Sequence, residues 1–213
     1  MKTFVADTSA FLEQLGANNN RDWFKAHKKD YDDQIKDPAA FLAEEVAEGL
    51  SNLMGRPLTA KVFRQHRDVR FSKDKTPYNV HLHIGFFGPG GNMAPGFFFG
   101  IEPGKVIVGG GCMGFEKQAL VTYRHRVDGP DGADLDKLLK GLQKKGWRLD
   151  DPELKRVPAP YDKEHERGHL LRRKGLAVWM DFDDISAKAW QSPAKTVLKT
   201  CKAMKPLMEW LEN

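Results

Sequence analysis

The sequence contains little cysteine. Cys112 and Cys201 are its only two cysteines in 213 residues, and they lie far apart along the chain. Small secreted domains that depend on disulfides carry several closely spaced cysteines, so we expect no disulfide framework here. Two reduced thiols favour a cytoplasmic protein.

Long hydrophobic runs are also missing. The longest mostly apolar stretches cover residues 96–101 and 106–113, whereas a membrane-spanning helix needs about 20 apolar residues. Residues 1–15 contain Asp7 and Glu13 and no apolar core of a signal peptide. We therefore expect a soluble protein that does not act at a membrane.

The overall composition is that of a folded globular protein. Hydrophobic residues make up 40% of the chain and charged residues 30%, with 13 Phe and 5 Trp, and a disordered chain would lack those aromatics. We expect one domain over residues 1–213. The net charge of +5 and the pI of about 9.1 favour anionic partners without specifying one.

The first 55 residues have helical patterns. Thr8 or Ser9 is predicted to cap a first helix that Gly16 ends, and one of residues 18–20 is predicted to cap a second. Pro38 is typical of the first turn of a third helix.

The rest of the chain predicts short strands followed by helices. Runs rich in Val, Ile and Phe, separated by Gly and Pro, are typical of strands, and their close spacing favours antiparallel pairing. The fold class we expect is α+β, with a largely antiparallel central sheet and helices at the N-terminus, after the glycine-rich turn and at the C-terminus. The predicted strands cover residues 61–71, 80–87, 96–102, 104–110 and 175–182, the later helices 115–127, 133–145 and 187–211, and the main loops 128–134 and 152–161.

One stretch, KVFRQHRDVRFSKDKTPY at residues 61–78, stands out by its charge. If residues 61–71 form a strand, its period of two places Arg64, His66, Asp68 and Arg70 on one face and Arg67 on the other. Six Lys or Arg and two Asp lie between positions 61 and 75. Such density indicates either a bound anion or a solvated edge strand that resists aggregation.

We favour binding of a small anionic or phosphorylated ligand, because arginine pairs with phosphate or carboxylate oxygens two at a time. If the protein is an enzyme, His66 and Asp68 are the expected acid–base pair. The predicted ligand-binding residues of this stretch are Arg64, Arg67, Arg70, Ser72, Lys73, Lys75 and Tyr78.

Four stretches of the chain resemble a bacterial family of unknown function, DUF2461. They are NNNRDWF at 18–24, RDVRFSKDKTPY at 67–78, VGGG at 108–111 and HERGHLLRRKGLAV at 165–178. The resemblance implies an α+β fold and a cytoplasmic setting. It implies no reaction and no catalytic residue.

Two histidine patterns resemble metal sites. Residues 165–169 spell H-E-x-x-H, but Gly168 and charged flanks favour a surface helix over the apolar helix of a zinc protease. His81 and His83 share a strand face and could bind metal if His66 or Asp68 supplied a third ligand. An exposed or packed histidine pair is the simpler interpretation, so we predict no metal site.

Gly109, Gly110 and Gly111 begin a G-x-G-x-x-G match that follows a predicted strand and precedes a predicted helix. A dinucleotide fold would need a second parallel strand soon afterwards, and the next predicted strand begins at 175, so we expect no cofactor. Glycines at a helix N-terminus could still offer backbone N–H groups to an anion, and we include the three in the predicted ligand site. The alternative is close backbone packing on a sheet.

Two other functions stay open. A nucleic-acid binder would use the same basic residues with Phe63 or Phe71 stacking on bases, but the modest net charge favours the small anion. A non-catalytic interaction protein would use the C-terminal helix or the aromatic strand at 96–101. The sequence contains neither a G-x-S-x-G elbow nor a P-loop.

Overall fold

The structure, a computed structural model, describes residues 3–91 and 94–213. Its N-terminal part is helical, as predicted. The helices are α1 (Phe4–Ala17), α2 (Arg21–Ala26), α3 (Lys28–Tyr31) and, after a π-helical turn (Asp32–Lys36), α4 (Asp37–Met54).

Two of the predicted helix starts are confirmed and one is wrong. Asn20 caps α2 by accepting a hydrogen bond from the Trp23 N–H, and Pro38 lies in the first turn of α4. The predicted cap of α1 is wrong. Thr3 accepts the hydrogen bond from the Ala6 N–H, while Thr8 and Ser9 are buried inside the helix.

In the described part of the chain, six strands form one sheet in the order β1-β2-β3-β4-β6-β5, and every neighbouring pair is antiparallel. The predicted α+β class is therefore confirmed. The strands are β1 (Thr59–Val62), β2 (Leu82–Phe87), β3 (Gly96–Glu102), β4 (Lys105–Cys112), β5 (Arg148–Leu149) and β6 (Leu176–Phe182).

Two predictions about the second half of the chain are wrong. Residues 128–134 are not a loop, because α5 runs to Asp128 and α6 begins at Asp131. The predicted helix at 187–211 is divided, and α8 and α9 are separated just before Pro206. The elements are α5 (Lys117–Asp128), α6 (Asp131–Gln143), α7 (Gly168–Leu171), a 3-10 turn (Lys188–Gln191), α8 (Pro193–Lys202) and α9 (Lys205–Glu212).

The two faces of the sheet differ. Alternate strand residues such as Ile84, Phe99 and Val108 are fully buried in the core, and α1, α4, α8 and α9 contact the sheet. The opposite face, which we call the open face, carries the side chains between them. They include His83, Phe87, Phe98, Ile107 and Trp179.

No helix in the described ranges 3–91 and 94–213 combines the length and the apolar character needed to cross a membrane.

Candidate functional site

Residues 64–78, called the basic segment from here on, leave the sheet between β1 and β2. The predicted strand at 61–71 is wrong beyond Val62, although the Phe63 N–H still donates to the His83 carbonyl at 2.9 Å. The ladder then shrinks to an isolated antiparallel bridge between His66 and Tyr78. Side-chain amides support it, because Gln65 donates to the Asn79 carbonyl and Asn79 donates to the Arg64 carbonyl at 3.1 Å. The period-of-two division into faces therefore does not apply.

The far end of the basic segment is fixed to the helices. Asn19 donates to the Tyr78 carbonyl at 2.9 Å and accepts from the Tyr78 N–H at 3.1 Å. The Tyr78 ring is 5% exposed and stacks on Phe24 with centroids 4.1 Å apart. Tyr78 thus packs in the core, where its ring contacts that of His66 from the predicted site.

Four predicted site residues meet at one shallow hollow of about 330 Å³, which we call the basic pocket. They are Arg64, His66, Arg67 and Asp68, so Arg67 lies with the others despite its predicted place on the opposite face. The complete lining is Phe63, Arg64, His66, Arg67, Asp68, Asn79, His81 and His83.

Ion pairs neutralise most of the charge at the basic pocket. Arg70 binds Asp68 through two hydrogen bonds of 2.7 and 3.0 Å and lowers the pKa of that carboxyl. Arg67 pairs with Asp74, whose pKa falls because the Thr76 backbone N–H, and then Arg67, stabilise its charged form. Within the described part of the chain, the Arg64 guanidinium has neither a hydrogen bond nor an ion pair.

Several predicted ligand residues lie outside the basic pocket. Arg70 binds Asp68, and Lys75 donates to the Val69 carbonyl at 3.0 Å. The Ser72 N–H donates to the same carbonyl at 3.3 Å. Lys73 is exposed at the tip of the basic segment. None of these four side chains lines the basic pocket.

The expected acid–base pair is not assembled. Among the described residues no hydrogen bond joins His66 to Asp68, whose carboxylate is bound to Arg70. The His66 ring packs edge-on against Tyr78 at 4.9 Å and Phe24 at 6.0 Å.

His81 and His83 share a face, and their rings stack 3.6 Å apart at the wall of the basic pocket. Burial lowers the pKa of both, that of His83 to about 4, which keeps the imidazoles neutral at pH 7. The described residues contain no group of three His, Cys, Asp or Glu that could hold a metal ion.

The H-E-x-x-H stretch does not form a helical zinc motif. Helix α7 begins at Gly168, so His165 and His169 do not share one helix. His165 lies 3.3 Å from Asp128 and His169 lies 3.1 Å from Asp136, two separate carboxylates.

The glycine-rich stretch is not a helix N-terminus. Gly109, Gly110 and Gly111 lie inside β4 and pair with both β3 and β6, while α5 begins only at Lys117. Their backbone groups therefore belong to the sheet, and close packing is the correct interpretation. A Cβ on Gly109 would lie 2.3 Å from the Trp179 ring.

The open face holds a cavity of about 520 Å³ that we did not predict, called the aromatic cavity below. Its walls include Phe63, His83, Phe98, Ile107 and Trp179, and the charged residues Glu102, Arg148 and Asp150 also line it. The sequence signal for it is the mixture of glycine and aromatic residues in HIGFF at 83–87 and GFFFG at 96–100. Strand β3 lies between β2 and β4, so its backbone edges are not available to a partner.

Nearly the whole chain matches one protein family. The model of a family described as "Conserved hypothetical protein (DUF2461)" matches residues 7–210. No curated protein matches the chain.

Proposed function

The chain belongs to the family of conserved hypothetical proteins DUF2461, and we propose that it binds a small anionic or phosphorylated ligand in the basic pocket. The observation that carries the proposal is the Arg64 guanidinium, which lines the basic pocket without an ion pair among the described residues while neighbouring charges are matched. A bound anion would supply the negative charge with which the Arg64 guanidinium could pair.

The surroundings of Arg64 support an anion over a cation. Arg70 already neutralises Asp68, and Arg67 adds a second guanidinium. Asn79 and the histidines contribute hydrogen-bonding groups without adding negative charge. Binding, with no assembled acid–base pair, is the activity that this geometry supports best.

The test compares two single changes that remove the same charge. Isothermal titration with inorganic phosphate would measure the wild type, Arg64→Gln in the basic pocket and Lys73→Gln at the exposed tip. We expect Arg64→Gln to weaken binding by about tenfold or more, the value of one charge-assisted hydrogen bond, and Lys73→Gln to bind as the wild type does. Equal affinity of the two variants would disprove the assignment of the site.

Nucleic-acid binding is the second candidate, because Phe71 is 97% exposed beside Arg70 and Lys73. An exposed aromatic ring among basic side chains is typical of surfaces that stack single-stranded bases. Anisotropy titrations of a labelled oligonucleotide at increasing salt separate the two functions. A steep loss of affinity with salt that also requires Phe71 would favour nucleic acid, whereas a pocketed small anion depends less on salt.

A further inference from the structure

The aromatic cavity has the size and the lining of a small-molecule site. Its volume is about 520 Å³, and sites for small ligands occupy roughly 300–1,000 Å³ and are lined mainly by apolar and aromatic side chains. Phe98 and Ile107 lie along the open face between Phe63 on one side and Trp179 on the other.

The aromatic cavity adjoins the basic pocket. Phe63 and His83 line both, and Phe63 is followed directly in the chain by Arg64. One molecule could therefore place a charged group beside Arg64 and a neutral body in the aromatic cavity. A ligand that spans both cavities in this way rests on the proposed function, because its charged group is the anion bound by Arg64.

Glycines let flat rings lie directly on the sheet. On the open face, Phe98 is opposite Gly85 on β2 and Gly109 on β4, and Trp179 on β6 is opposite the same Gly109. A Cβ on Gly109 would meet the Trp179 ring at 2.3 Å, and a Cβ on Gly100 would meet the Phe98 ring at 2.9 Å. The glycines thus create room that any larger residue would fill.

The resulting rings form an aromatic wall. The ring of Phe98 meets that of His83 at 4.9 Å and that of Trp179 at 5.5 Å, both edge-on. Such edge-to-face neighbours favour the insertion of a further flat ring, which can stack on one ring while meeting the edge of another.

A polar atom at the same wall lacks a partner. His83 Nε2 is buried and has no hydrogen bond within the described ranges, and the Glu102 carboxylate lies 4.0 Å from it. A buried polar atom of this kind is normally satisfied by a protein group or an ordered water, so the wall of the aromatic cavity at His83 is not purely apolar.

We infer that the anionic ligand carries a flat aromatic or heteroaromatic ring, which occupies the aromatic cavity while its phosphate or carboxylate binds Arg64. The ligand class is an aromatic phosphate or carboxylate about the size of a mononucleotide. An alkyl phosphate fits the volume but not the ring geometry.

The experiment titrates three probes into the full chain by isothermal titration: inorganic phosphate, phenyl phosphate and hexyl phosphate. We expect phenyl phosphate to bind about tenfold more tightly than inorganic phosphate, as one stacked ring would give. Ile107→Trp, which fills the aromatic cavity, should remove that gain and leave phosphate binding unchanged.

Phe63→Ala and Phe71→Ala provide a matched pair that does not depend on filling the cavity. Both remove an exposed phenyl group, but only Phe63 lines the aromatic cavity, so only Phe63→Ala should reduce the gain. An equal gain for hexyl phosphate, or none for phenyl phosphate while inorganic phosphate still binds, would overturn this inference alone. If no probe binds, the proposed function fails as well.

Discussion

The side chain of Asn19 hydrogen-bonds both backbone groups of Tyr78, at 2.9 and 3.1 Å, across 59 positions of sequence. This contact joins two of the stretches by which the chain resembles its family, the NNNRDWF run before α2 and the end of the basic segment. Residues of both stretches therefore help to hold the fold together. Asn19 fixes the end of a loop that regular strand pairing does not hold.

Asn19→Ala should therefore destabilise the protein. It leaves the Tyr78 N–H and carbonyl without their partner, at a cost of about 1–3 kcal/mol for buried groups. Urea unfolding would measure the change. Asn18→Ala, which removes a hydrogen bond to the Gln14 carbonyl at an exposed site, is the control, and an equal loss in both variants would contradict the role of Asn19.

Arg70 is predicted to act through Asp68. Arg70→Gln releases the Asp68 carboxylate, whose negative charge at the edge of the basic pocket would then repel an anion. We expect weaker phosphate binding in Arg70→Gln and recovery in the double variant Arg70→Gln/Asp68→Asn, measured by titration. Failure of the double variant to recover would mean that Arg70 contacts the ligand itself.

Stability should fall in mild acid because of His83. Burial lowers its pKa to about 4 from the usual 6.5, so between these values the unfolded chain binds the proton more readily. The contribution of neutral His83 to the free energy of unfolding is therefore fully present above pH 6.5 and decreases as the pH falls toward 4. His81 acts in the same direction, since burial lowers its pKa while Glu102 opposes and Arg67 assists that shift.

His83→Gln should reduce this acid-dependent loss by about 1–2 kcal/mol, allowing for the partial exposure of the side chain. Urea unfolding at pH 7 and pH 4.5 measures the difference. His125→Gln, at an exposed position on α5, controls for removal of a histidine. The same pH slope in His83→Gln and the wild type would rule out the assignment.

Gly109 is predicted to matter for packing. In Gly109→Ala the new Cβ would lie 2.3 Å from the Trp179 ring and 2.6 Å from the Val178 carbonyl oxygen, which should cost about 1–3 kcal/mol. Gly141→Ala on α6 meets nothing within 4 Å and should stabilise by about 0.5–1 kcal/mol. Thermal unfolding of both variants checks the opposite signs.

The sequence alone predicted the fold class well because periodicity and capping are local. Runs rich in Ile and Phe, bounded by Gly and Pro, predicted β2 and β3 within two residues of their observed bounds. Asn20 and Pro38 mark helix starts that depend on neighbouring backbone groups. The basic segment was also recognisable from its density of charge. The family it indicated is the family to which the chain belongs.

Tertiary structure decided which of those charges remain unmatched. Whether Arg64 or Arg70 faces a carboxylate depends on the irregular path of the basic segment, which Gln65, Asn79 and Asn19 impose through side-chain hydrogen bonds. The close packing around Gly109 also depends on tertiary structure, because its neighbours Phe98 and Trp179 come from other strands of the sheet. The sequence by itself determined the elements and the location of the charge, and cross-strand pairing decided where the open face leaves a cavity.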